Sequence, residues 1–160
     1  MGNAIYLDDR PYVGKNGTAA EVGHMPEALS DRECSCGNKG CIEMYCCGKT
    51  LERLMQRHFS DTDISDLFIK YRDTEVFRDF VRCMAVPVAT EINILDPEAV
   101  FLGGGIVQMQ EFPREQLIEH ILANTRKPYS AENIKICFSK QSPEYWNVGA
   151  AVMGFAQSEK

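Results

Sequence analysis

Between Glu21 and Glu43 the chain reads EVGHMPEALSDRECSCGNKGCIE, a stretch that sets one histidine and three cysteines between two terminal carboxylates. Thiolate sulfur and neutral imidazole nitrogen are the donors zinc prefers, and a closed structural site takes four of them in a tetrahedron. His24, Cys34, Cys36 and Cys41 supply four, in the order H-x9-C-x-C-x4-C. Gly37 and Gly40 lie between the last two cysteines and let the backbone fold back, because glycine has no Cβ to clash at φ > 0. The loop is polar and rich in turn residues, so it buries no core of its own and a metal would supply its folding energy. Two other arrangements use the same residues: a disulfide with one free thiol, or three reduced cysteines in a loop. C-x-C is also not the common C-x-x-C zinc spacing.

Glu21 and Glu43 flank this knuckle, and a pinned loop would hold both on one rim. Ionised carboxylates accept hydrogen bonds, so two of them beside an imidazole can bind the hydroxyls of a sugar, at roughly 1.5–3 kcal/mol for each bond to a charged group. The plainer reading makes them a solvated loop acid and a helix-start carboxylate. Gly103, Gly104 and Gly105 follow an apolar run and can bring backbone amides close to a nucleotide. The run fits neither G-x-x-x-x-G-K-[ST] nor G-x-G-x-x-G, and a turn without a ligand reads it as well. His58 and His120 lie among charged residues in helical segments and read as surface side chains.

Around these residues the pattern is α/β. Ala4–Leu7 and Pro11–Val13 form a hairpin about a polar turn at Asp8, Asp9 and Arg10. Met44, Cys47, Gly48, Leu51, Leu54 and Met55 share one helical face, and a short amphipathic piece follows around Ile64, Leu67 and Phe68. The longest periodic segment runs from Phe77 to Leu95, capped by Asp73 or Thr74, kinked at Pro87 and ended by Asp96 and Pro97. Ala99–Leu102 reads as a buried strand. Pro113 fits the first position of a helix ending near Asn124, then Ile134, Ile136 and Phe138 alternate as a strand, and a last helix starts near Asn147. Cys83 and Cys137 sit in apolar segments as core residues.

At 160 residues the length suits one domain or one large lobe. The net charge of -6 argues against nucleic acid or an anionic membrane as the main partner. MGNAIYLDDR has no signal-peptide character and no apolar run approaches ~18 residues, so a cytoplasmic protein is expected. In a reducing compartment an odd set of 7 cysteines suits metal ligation and packing better than bridges.

E-x-G-H followed by C-x-C-G-x-x-G-C-x-E resembles the ROK family of sugar-responsive repressors and sugar kinases, through Glu21, Gly23, His24, Cys34, Cys36, Gly37, Gly40, Cys41 and Glu43. INILDPEAVFLGGGI looks like the family's nucleotide-side strand and turn, and NVGAAVMGF like its last helix. The resemblance implies zinc on His24, Cys34, Cys36 and Cys41, and a hexose held by Glu21, His24 and Glu43. It also implies an actin-like (ribonuclease H-like) two-lobed kinase with ATP and Mg²⁺ in the cleft, ATP lying against Gly103–Gly105, and a homo-oligomer assembled through this lobe. The zinc would be structural.

Residues 1–160 then correspond to the carboxyl-terminal lobe, with GNAI as the tail of the family's second phosphate motif. The family's D-x-G-x-T phosphate loop and catalytic aspartate have no counterpart in the sequence, so the chain alone is expected to be inactive. Cys47 replaces a serine more usual in the family. The competing expectation is the sugar-sensing lobe of a ROK repressor, which would carry a helix-turn-helix upstream; no basic recognition helix is visible. A stand-alone structural zinc domain is a third.

Overall fold

The computed structural model describes residues 1–26 and 31–139. Strand β1 (Ile5–Leu7) pairs antiparallel with β2 (Arg10–Tyr12). Asp8 and Asp9 turn the chain with φ of 51° and 58°, as a two-residue hairpin of the primed type requires. The turn is one residue tighter than the sequence suggested, because Arg10 already pairs with Leu7.

A 3₁₀ turn at Val22–His24 precedes the knuckle, and helix α1 (Glu43–Cys46) follows it. The helix expected from Met44 through Met55 is in fact two. Cys47 is extended at φ -107° and ψ 173°, and α2 (Gly48–His58) starts after it. The break has local causes: Thr50 Oγ1 donates to Met44 O at 2.8 Å, and the carbonyl of Cys47 accepts from Thr50 N and Leu51 N, each at 3.0 Å. Gly48, a weak helix former, sits at the restart. The short apolar piece becomes a 3₁₀ turn at Ile64–Asp66, where Asp63 caps Ser65 N at 2.9 Å, followed by α3 (Leu67–Tyr71).

Helix α4 (Glu75–Leu95) is the central element. Thr74 stands at its amino end, and Asp96, left-handed at φ 44°, closes the other by donating its N–H to Ile92 O at 2.9 Å. The helix continues through Pro87, which is buried and cannot donate to the carbonyl four residues back. Its buried face of Phe77, Phe80, Val81, Ala85 and Ile92 packs with Leu117 and Ile121 of α5 (Arg114–Asn124). Pro113 is the residue before α5 rather than its first. Cys83 packs on the edge of this core, as expected.

Strand β3 (Ala99–Leu102) pairs parallel with β4 (Lys135–Phe138), Val100 opposite Ile136. The continuous apolar run does not mean burial on both faces here. Val100 and Leu102 pack on the core while Phe101 is 76% exposed, and among the described residues β4 is the only partner of β3. A short helix, α6 (Tyr129–Asn133), has no counterpart in the sequence reading. The helix expected near Asn147 lies outside the described residues, and among the described residues no helix is long and apolar enough to cross a membrane.

Candidate functional site

The knuckle is built almost entirely from backbone hydrogen bonds. Cys34 N donates to Asn38 O at 2.8 Å, Gly37 N to Cys34 O at 3.0 Å and Gly40 N to Arg32 O at 2.8 Å. Gly37 at φ 92° and Gly40 at φ 73° take left-handed conformations, so the fold-back is made where the sequence placed it. Ile42 N donates to Met25 O at 2.9 Å, and this bond draws the His24 segment alongside Cys41. From the knuckle's outer side Arg32 reaches Met44 O at 3.2 Å and lies over the Tyr45 ring, 4.5 Å from its centroid.

This frame gathers one ligand atom each from His24, Cys34, Cys36 and Cys41, all within 4.8 Å of one another. Cys36 Sγ lies 3.6 Å from Cys41 Sγ, and Cys34 Sγ lies 3.6 Å from His24 Nδ1. With metal–sulfur bonds of ~2.3 Å and metal–nitrogen bonds of ~2.0–2.1 Å, the edges of a tetrahedral zinc site are about 3.5–3.8 Å, so these two separations and the donor set fit that ion. A disulfide would need ~2.05 Å, and all seven cysteines are free. The structure thus shows the four donors as an unbridged cluster.

The cluster is electrostatically divided. The backbone N–H of Cys36 directed at Cys34 holds that thiol down at about 6, whereas burial, reinforced by the neighbouring thiols, pushes Cys41 up to about 12. A site with one ready thiolate and one protonated thiol must shed protons to bind a dication.

His24 Nε2 points away from the sulfurs and lies 3.7 Å from Glu21 Oε2. Glu43, first residue of α1, lies back across the same turn, close to Gly23. A Cβ at Gly23 would meet Met1 O at 2.7 Å and Glu43 Oε2 at 3.2 Å, so the turn needs glycine there to keep Glu43 beside it. Glu43 also receives the Met1 amino group at 3.2 Å. Glu21, His24 and Glu43 therefore converge around Val22–His24.

Gly103, Gly104 and Gly105 form a second feature, whose cavity reaches Val22 of the same turn. They line a cavity of about 410 Å³ together with Cys46, Cys47, Gly48, Val88 and Val100. Gly104 has φ 105°, so the turn after β3 does require glycine. The cavity contains a carboxylate the sequence reading missed. Glu91 accepts a short hydrogen bond from Asn3 Nδ2, and burial raises its pKa. The signal was present: Glu91 sits three residues after Val88 and seven after Met84, on the apolar face of α4. His58 is exposed, as expected, and His120 is half-buried in α5.

The sequence profile of the ROK family matches residues 1–155, and the chain belongs to that family. Among curated relatives, N-acetyl-D-glucosamine kinase of Photobacterium profundum is 29% identical over 148 residues, covering 80% of this chain and 48% of that protein. Xylose repressor of Bacillus spizizenii is 27% identical over 113 residues, covering 68% of this chain and 29% of the repressor. Among solved structures, ROK hexokinase of Thermus thermophilus superposes with a TM-score of 0.79 at 23% identity, over 99% of this chain and 54% of that one. The fold is thus the mixed α/β, actin-like ATPase fold of ROK proteins, and the chain spans about half the length of the curated kinases it matches.

Proposed function

We propose that the chain is the sugar-binding, zinc-containing carboxyl-terminal lobe of an ATP-dependent hexose kinase. The observation that carries this reading is the convergence of Glu21, His24 and Glu43 beside the His24, Cys34, Cys36 and Cys41 cluster, in a chain whose relatives include sugar kinases. In this reading the four ligands hold Zn²⁺, which supplies folding energy and fixes the rim; with four protein donors there is no open position for a reacting group. Glu21 and Glu43 accept hydrogen bonds from sugar hydroxyls, and His24 Nε2 donates to one, so the hexose is held with one hydroxyl presented toward the nucleotide. ATP with Mg²⁺ would lie on the Gly103–Gly105 side, where backbone without side chains permits close approach.

Phosphoryl transfer depends on positioning and electrostatic stabilisation. The sequence contains no D-x-G-x-T loop, so in this reading the base and half of the phosphate cradle would be supplied from outside these residues. D-Allose leads as substrate, on the likeness of the knuckle and of FPREQL (Phe112–Leu117) to D-allose kinases. N-Acetyl-D-glucosamine is the comparison, because curated relatives are named for it.

The test is ATP-dependent ADP release across a panel of aldohexoses containing both sugars, with Mg²⁺ and zinc. The chain alone is expected to give no turnover while binding the preferred hexose, and joining it to an upstream half carrying D-x-G-x-T is expected to restore turnover. Turnover by the chain alone would place a base inside these residues and overturn the incomplete-lobe reading. A second reading, the sugar-sensing lobe of a repressor, is favoured by the xylose repressor match. It predicts sugar binding without phosphorylation even when the upstream half is restored.

A further inference from the structure

We infer that Glu21 is a positioning residue of the metal centre, so that the carboxylate offered to the sugar also fixes the histidine offered to the metal. The inference rests on the zinc reading above and concerns how His24 is held.

Three of the four ligands need no help. Cys34, Cys36 and Cys41 are placed by the knuckle's own backbone bonds. His24 is the ligand from outside that frame, carried on the 3₁₀ turn Val22–His24, and its ring is free to rotate unless something holds it. In a 3₁₀ turn, side chains three residues apart eclipse, which stacks Glu21 and His24 on one side. His24 N donates to Glu21 O at 3.0 Å, closing that turn.

The two ring nitrogens then face different groups. Nδ1 lies 3.6 Å from Cys34 Sγ and faces the sulfur cluster, while Nε2 lies 3.7 Å from Glu21 Oε2. A neutral imidazole has one lone pair and one N–H, so metal on Nδ1 leaves the proton on Nε2, where it is directed at the carboxylate in the sugar-free protein and passes to a hydroxyl when a hexose occupies the rim. The 3.7 Å separation exceeds the ~2.7–2.9 Å of a charge-assisted bond, so a side-chain rotation of the exposed Glu21 is required to close that gap. Three thiolates and Zn²⁺ carry net negative charge, so the carboxylate is not there to attract the ion. It acts on the N–H, fixing the tautomer and ring orientation and raising the basicity of Nδ1. Glu43 reaches the rim from α1 across Gly23 and has no comparable approach to Nε2 among the described contacts.

The experiment is zinc affinity, measured without sugar by competition with a chromophoric chelator, in the wild-type chain and in Glu21→Gln, Glu21→Ala and Glu43→Ala. Co²⁺ spectra and melting temperatures at saturating zinc are recorded for each. Glu21→Ala is expected to weaken zinc about 10–100-fold, Glu21→Gln less, because its amide oxygen still accepts, and Glu43→Ala negligibly. The Co²⁺–thiolate charge-transfer bands should persist in all four, since the sulfurs remain, while the ligand-field bands shift in the Glu21 variants. Glu21→Ala binding as tightly as wild type, or Glu43→Ala losing as much as Glu21→Ala, overturns this inference alone. A wild-type chain that binds no zinc overturns it together with the reading beneath it.

Discussion

The knuckle and the α4–α5 layer are held by opposite means. Among residues 31–41 only Cys34, Gly40 and Cys41 are buried, and the loop's order comes from backbone bonds and a cluster of donor atoms. In α4 every third or fourth side chain is buried, with Phe77 stacked on Phe59 at 5.5 Å and tilted against Phe68 at 5.2 Å. One region is ordered by excluding water; the other, on the proposed reading, by holding an ion. On that reading a single chain contains a part sensitive to chelators, oxidants and acid, and a part indifferent to them.

The sharpest way to break this contrast is Cys41→Ser. It should abolish stoichiometric zinc binding and open residues 31–41 to protease, while far-UV circular dichroism keeps the helical signal of α4 and α5. Loss of the helical signal along with the metal would make the two regions one cooperative unit. The reciprocal change, Phe77→Ala, should cost about 3–5 kcal/mol in denaturant unfolding and leave zinc stoichiometry at one in the folded fraction.

Acid should separate the regions further. Cys34, held at about 6, is already a thiolate at neutral pH, whereas Cys41, raised to about 12, must lose its proton when zinc binds. Zinc affinity should thus fall as pH falls, by about tenfold per pH unit for each displaced proton, and more steeply below pH ~6 where Cys34 also becomes protonated. Chelator competition between pH 5 and 8 reads this directly, and a flat profile would contradict the assigned ligands. The smallest effect is expected at the junction between α1 and α2. Cys47 occupies the position before α2 with its Sγ 3.6 Å from Thr50 Oγ1, and Cys47→Ser gives α2 a better cap. A gain of about 0.5–1 kcal/mol should appear in thermal melts.

These regions were also unequally legible. Metal-ligand chemistry restricts residue types within a short span, so the His24, Cys34, Cys36 and Cys41 set and the turn glycines could be read off directly, and the long period of α4 likewise. What escaped was decided by contacts distant in sequence or by backbone competition. The helical period runs unbroken from Met44 to Met55, yet Cys47 is extended because Thr50 and Met44 bond across the gap. Phe101 belongs to an apolar run, and its exposure depends on which strands flank β3. Glu91 looked like one more charged residue on a long helix, and only the approach of residues 1–3 to α4 turns it into a half-buried acid at the cavity wall.

Helix α1 gains a meaning from its length. Its first residue, Glu43, belongs to the rim at the metal centre, and its last, Cys46, lines the cavity of the glycine turn. Four residues at ~1.5 Å each span about 6 Å, one turn, which is too short to bend. The rim and the cavity are therefore neighbours one helical turn apart, and Met1, which pairs with Glu43, also lines the cavity.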